Sequence, residues 1–191
     1  MATKRILMLV GDFVEDYEAM VPLQILQMVG HAVDVACPGK QAGDFVATAI
    51  HDFEGHHTYS EKRGHNFPIN VDWKDVLPER YDALLIPGGR SPEYLQLDDR
   101  VIAIVKQFDK AEKPIGATCH GPHLLTAAGV VSGRRCQAYP SLRPELVRSG
   151  ATWEEPSDSL DSVSVDGHLV TSPAWPANPA WMREFLKLLS E

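Results

Sequence analysis

The stretch "KRILMLVGDFVEDYEAMVPLQILQMVGHAVDVACPG", residues 4–39, decides the fold class. Residues 4–10 form an apolar run of strand length, and the segment EAMVPLQILQMVG after it sets Val21, Ile25, Met28 and Val29 on one face of a helix. Residues 31–39 resume as a strand rich in β-branched side chains and stop at Pro38 and Gly39. Strand, helix and strand in that order make a β-α-β unit. Its two strands run parallel, because a crossover helix returns the chain to the same end of the sheet.

The pattern repeats outward from this unit. Residues 81–89, YDALLIPGG, read as a third strand, and DDRVIAIVKQFDKAEK after them places Val101, Ile104, Val105 and Phe108 at helical spacing. Acidic residues open that helix and lysines close it, as the helix dipole prefers. KPIGATC (113–119) is a fourth strand, followed by a helix over PHLLTAAGVV that ends near Gly129. Asp166-Gly167 between two alternating runs signals a hairpin, and PAWMREFLKLLS is a terminal helix carrying Trp181, Phe185, Leu188 and Leu189. The expected architecture is a single α/β domain over residues 1–191, a doubly wound, mostly parallel sheet between layers of helices.

One stretch resists the pattern. Residues 51–73 are polar, lack sustained periodicity and carry His51, His56, His57 and His65. A long loop is expected there, with a short hairpin as an alternative within it, either functional or covering an interface. The histidine spacing fits no metal-binding pattern, so a solvated or interface loop is the reading and no metal is expected.

Composition narrows the function. A formal charge of −8 without clustered Lys and Arg argues against nucleic acid and against an anionic membrane surface as partners. The apolar run at the start is too short for a signal segment, and nothing later reaches the roughly 20 residues of a membrane span, so a cytoplasmic protein is expected. Cys37, Cys119 and Cys136 are an odd, widely spaced set, neither a disulfide framework nor a metal site. Cys37, at a Pro-Gly turn, and Cys136 read as small apolar fillers.

In open α/β sheets, sites form beyond the carboxyl ends of the strands. After the first strand come Asp12, Glu15, Asp16 and Glu18; after the third, Gly88, Gly89 and Glu93; after the fourth, Cys119 and His120. Cys119 therefore sits between a buried strand and a helix N-terminus, where free N–H groups favour negative charge. Gly116, Ala117 and Gly121 supply the small neighbours of a nucleophile elbow. A depressed thiol pKa is expected, with apolar burial opposing it; the alternative is a buried structural thiol. The His120 ring is expected to point away from the sulfur, as neighbours on a sharp turn diverge, while its backbone N–H and the Pro-Gly-Gly amides can bind an oxyanion. Glu18 is the expected proton carrier because it lies a turn into the first helix, whereas Glu15 and Asp16 read as solvated capping residues. A carboxyl group buried beside a thiolate holds its own proton.

These segments, residues 117–142, 82–95, 14–26 and 167–181, are together similar to the DJ-1/PfpI superfamily over nearly the whole chain. The insertion HDFEGHHTYSEKRGHNFP further resembles the branch with plant-type glutathione-independent glyoxalases, glyoxalase III. The resemblance implies a flavodoxin-like fold, Cys119 as nucleophile and Glu18 as the acid bonded to its sulfur. It also implies that Glu93 pairs with His120 from an adjacent subunit, that Gly88, Gly89 and the His120 amide line the oxyanion site, and that the protein is a homo-oligomer. His123 departs from the usual glutamine of this motif and bears on pocket polarity. The implied reaction converts a small reactive aldehyde, methylglyoxal or glyoxal, to lactate or glycolate with no cofactor or metal.

Alternatives remain open. A PfpI-type cysteine peptidase or related hydrolase would use Cys119, His120 and Glu93 as a triad between subunits. A protein deglycase, or a redox sensor or chaperone with an oxidisable Cys119, would use the same thiol. A glutaminase domain is disfavoured because the chain lacks its late His-x-Glu pair.

Overall fold

The computed structural model describes residues 2–190. β1 (Arg5–Leu9), a short β2 (Val14–Glu15), helix α1 (Asp16–Met28) and β3 (Ala32–Ala36) open the chain. β4 (Phe45–Asp52) and β5 (Ser60–Pro68) follow, then β6 (Ala83–Ile86), α2 (Ser91–Leu95), α3 (Asp99–Lys110), β7 (Ile115–Thr118) and α4 (Pro122–Ala128). β8 (Arg135–Cys136) and β9 (Thr152–Trp153) pair around α5 (Arg143–Arg148), before β10 (Ser164–Asp166), β11 (Leu169–Ser172) and α6 (Asn178–Ser190).

The main sheet has six strands in the order β10-β11-β7-β6-β1-β3. All pairs are parallel except the β10-β11 hairpin, whose turn carries Asp166-Gly167. Alternation along β1 sends Leu7 and Leu9 to one face, with Val101, Val105 and Phe108 of α3 and Leu124 of α4. It sends Ile6 and Met8 to the other, with Leu26 of α1 and Trp181 and Phe185 of α6. Both faces are thus covered, as a parallel sheet requires, and the carboxyl edge is left for chemistry. Gly129 ends α4 in the left-handed conformation, as expected of a helix-terminating glycine. No helix among the described residues is long and apolar enough to cross a membrane.

Two expectations are corrected. The buried stripe of α1 is Glu18, Ala19, Pro22 and Leu26, whereas Val21, Ile25 and Val29 are half-buried and Met28 is 78% exposed. Apolar residues surround most of this helix, so periodicity alone allows more than one stripe. The stripe that packs is the one that carries a carboxylate inward. The second correction concerns residues 51–73. Most of that stretch lies in an extended hairpin in which β5 pairs antiparallel with β4, within a separate three-stranded sheet ordered β2-β4-β5. The β5 face is largely exposed apart from Phe67, so no apolar alternation marked it as a strand. The tip, 53–59, and the exit, 69–72, are irregular.

Candidate active site

β6 and β7 are parallel neighbours, and β1 flanks β6, so their carboxyl ends converge on one edge. Cys119 follows β7 directly, with a left-handed φ of 56°. Such a backbone costs a non-glycine residue about 1–3 kcal/mol. The turn is held by hydrogen bonds: the Cys119 N–H donates to the Ser172 carbonyl and the Cys119 carbonyl accepts from the Tyr139 N–H, both at 3.0 Å, and Gly121 N–H donates to Thr118 O at 2.7 Å.

This geometry overturns the expected position of the neighbouring ring. The Cys119 sulfur lies 3.2 Å from Nδ1 of His120, because the left-handed step brings the two side chains together. Burial and the positive or ionisable neighbours His123, His51 and Arg90 push His120 down to about 4, so its ring is neutral near pH 7.

Glu18 reaches the same point from α1. It is fully buried; its Oε2 accepts the Gly88 N–H at 2.9 Å, and Oε1 is buried with no hydrogen-bond partner. Burial foremost, then the charge of Glu15, pushes the Glu18 carboxyl well above its ordinary value, so it holds a proton as expected. The thiol is shifted upward too, by burial and then by Glu18, against the Gly89 and His120 amides, which favour the thiolate. That corrects the expected depression: removal from water outweighs the donors at the helix start. A protonated Glu18 no longer repels the thiolate, which offsets part of the upward shift.

The glycine pair serves two roles. The Gly88 amide is committed to Glu18 instead of standing free for an oxyanion, whereas Gly89 and His120 direct their amides at the sulfur. A Cβ at Gly88 would sit 2.6 Å from Cys119 Cβ and 2.6 Å from Glu18 Oε2, so only glycine allows this approach. Gly89 adopts φ 73° and forms an isolated antiparallel bridge with Val14.

Glu15 and Asp16 are not solvated. Both are buried; Glu15 caps α1 through its Oε2, which accepts the Glu18 N–H at 2.8 Å, and Asp16 accepts from Thr48 Oγ1 and from the His65 N–H. Glu93 stands on α2, half-exposed, 3.9 Å from Arg90 rather than bonded to His120 of its own chain. His123 faces the Glu145 carboxylate with Nδ1 2.9 Å from Oε2.

The hairpin covers the site with aromatic rings that the sequence did not assign. Tyr59 packs edge-on against His51 and His120, at centroid distances of 4.6 and 6.0 Å, and Tyr139 stacks on His120 at 5.2 Å. Phe53 stacks between Tyr139 and Trp175. The signal was present as Phe53 and Tyr59 within the polar stretch, readable only once β4 and β5 are paired. His51 is likewise buried, contrary to a solvated reading, with Nε2 2.9 Å from Glu61, which also accepts from Arg90 Nε at 2.6 Å. His65 faces Asp16 with Nδ1 at 3.1 Å. Cys37 and Cys136 are buried free thiols pushed up to about 11 and about 12 by burial.

A family model described as the DJ-1/PfpI family matches residues 4–188. Protein DJ-1 homolog D of Arabidopsis thaliana is 52% identical over 188 residues, covering 98% of this chain and 48% of that protein. The chain spans about half the length of the Arabidopsis relatives it matches. Deglycase PfpI of Pyrococcus furiosus is 34% identical over 185 residues, 97% of this chain and 99% of that protein. The crystal structure of Drosophila melanogaster DJ-1beta superposes with a TM-score of 0.80 at 20% identity, over 99% of this chain and 92% of that one, a likeness of fold.

Proposed function

The chain belongs to the DJ-1/PfpI family, and we propose that it acts as a glutathione-independent glyoxalase on methylglyoxal and glyoxal. The observation that carries this reading is the buried, proton-holding Glu18 beside Cys119, with one oxygen fixed by Gly88 and the other unpartnered. A peptidase needs a base and an oxyanion site; moving hydrogen between two adjacent carbons needs a carboxyl group that can give and take a proton at the substrate.

In this mechanism the thiolate of Cys119 adds to the aldehyde carbon, and the oxygen that gains charge lies against the Gly89 and His120 amides. Glu18 donates its proton to that oxygen, giving a hemithioacetal. The resulting carboxylate removes the hydrogen on the same carbon, giving an enediolate, and returns a proton to the neighbouring carbon, while the hydroxyl proton of the first carbon passes to the oxygen of the second. The first carbon is oxidised to a thioester and the second reduced to an alcohol, so no external oxidant enters. Water then releases lactate, or glycolate from glyoxal, and restores the thiol. The neutral His120 at 3.2 Å relays the thiol proton. The reading carries with it a cytoplasmic site of action and a homo-oligomeric protein in which a neighbour's α2 supplies the carboxylate for His120.

Protein deglycase is the second reading, favoured by the full-length match to a protein of that name; it would begin with the same thiol addition. The test is lactate formation from methylglyoxal by reduced protein without glutathione. Wild type is expected to form lactate, with Cys119→Ala inactive and Glu18→Gln depressed by about 100-fold or more, the scale of a general acid–base group. No lactate from reduced wild type overturns the glyoxalase reading and leaves glycated peptide as the substrate to try.

A further inference from the structure

The tip of the hairpin, residues 53–59, joins β4 to β5 beside the site. Residues 54–58 are exposed, and an aromatic ring stands at each end of the tip. At the far end Tyr59 meets the rings of Tyr139 and His120 edge-on, at centroid distances of 5.3 and 6.0 Å. That places it against the imidazole whose Nδ1 lies 3.2 Å from the Cys119 sulfur. At the near end Phe53 lies nearly parallel to two rings, Tyr139 at 6.5 Å and Trp175 at 5.8 Å, with interplanar angles of 6° and 16°. Both of those rings are fixed outside the tip. The Tyr139 N–H donates to the Cys119 carbonyl and the Trp175 Nε1–H to the His51 carbonyl, each at 3.0 Å. Phe53 is 43% exposed, so it adds little to the core; what it does is hold the tip against two anchored rings. Beneath this cover Cys119 and His120 are each 6% exposed.

We propose that Phe53 is the latch of a lid formed by residues 53–59, and that the latched lid sets the size of electrophile that reaches Cys119. Methylglyoxal and glyoxal pass beneath it, whereas a 2-oxoaldehyde with a bulky substituent, or one carried on a peptide, waits for the lid to open. The substrate clause rests on the glyoxalase reading; the latch itself does not. A reagent that reacts only with the open form is slowed by the fraction of the protein that is open, and a small reagent is not. Removing the latch gives up two ring pairs and raises that fraction by about tenfold.

Alkylation of the reduced protein reads the lid directly. Iodoacetamide and a bulky fluorescein maleimide are compared, with modification of Cys119 followed by mass spectrometry, and urea-unfolded protein supplies the intrinsic rate ratio of the two reagents. Native wild type is expected to favour the small reagent by about tenfold or more over that ratio. Phe53→Ala is expected to bring the ratio back toward the unfolded value by raising the maleimide rate, and Phe53→Tyr, which keeps the ring, to behave as wild type. A native wild type that does not discriminate overturns the lid, whatever the variants do. A Phe53→Ala ratio equal to that of wild type overturns the latch.

Turnover then tests the substrate clause. The kcat/KM for tert-butylglyoxal relative to methylglyoxal should rise by about tenfold in Phe53→Ala. Both aldehydes go to their 2-hydroxy acids by the same internal transfer, so their intrinsic difference cancels between variant and wild type. An unchanged ratio, where alkylation has shown the latch, overturns the size limit. Wild type that discriminates between the alkylating reagents but makes no lactate removes the glyoxalase reading and leaves the latch over the thiol.

Discussion

Nδ1 of His120 stands 3.2 Å from the sulfur of Cys119, its neighbour in the chain. Adjacent side chains on an extended strand point to opposite faces. Here the left-handed φ of 56° at Cys119 breaks that rule, and the bonds to Ser172 and Tyr139 hold the break in place. The thiol therefore has a neutral imidazole on one side and a protonated carboxyl on the other.

Gly88→Ala should damage the site more than the fold. A methyl group there meets Cys119, Glu18 and the His120 amide at 2.6 to 2.8 Å, so one of them must move. A stability loss of about 1–3 kcal/mol is expected from the crowding. Displacing either group by an ångström should lower lactate formation by about 100-fold. A melting curve and turnover on the same preparation check both.

Tyr59→Ala should raise the His120 pKa from about 4 toward its ordinary 6.5. Desolvation is the largest cause of the depression, and the Tyr59 ring is part of what excludes water. Titration of the ring proton by NMR measures it; a midpoint still near 4 would assign the burial to Tyr139 and the helix instead.

Glu15→Gln should stabilise the protein at neutral pH. A carboxyl raised from 4.5 to about 7 favours folding fully below 4.5, and that contribution is lost as pH rises through 7. The variant should match wild type near pH 4 and exceed it by up to about 3 kcal/mol above pH 7. The difference in denaturation midpoint across this window is the measurement, and a constant difference would contradict the shift. His120, depressed to about 4, acts in the opposite sense: its contribution is present above 6.5 and lost as pH falls through 4. Comparison of variant with wild type cancels it.

Phe185→Ala should cost about 3–5 kcal/mol, as for other buried aromatic deletions. Its ring is fully buried and presses on β7 at Gly116, where a Cβ would meet it at 3.1 Å. The loss loosens the strand that ends at Cys119, so urea denaturation should show the destabilisation together with faster alkylation of that thiol.

The sequence by itself determined the parallel sheet, the helix over Asp99–Lys110 with its four buried apolar residues, the Asp166-Gly167 hairpin and the carboxyl edge on which Glu18, Gly88, Gly89 and Cys119 meet. Those features follow from periodicity and chain order, which are local properties. Tertiary structure alone decided which stripe of α1 turned inward, that the His120 ring met the sulfur, that Gly88 served Glu18, and that β4 and β5 carried Phe53 and Tyr59 over the site. It also reversed the expected direction of the Cys119 shift, because desolvation depends on every group that excludes water, and those groups come from segments far apart in the chain.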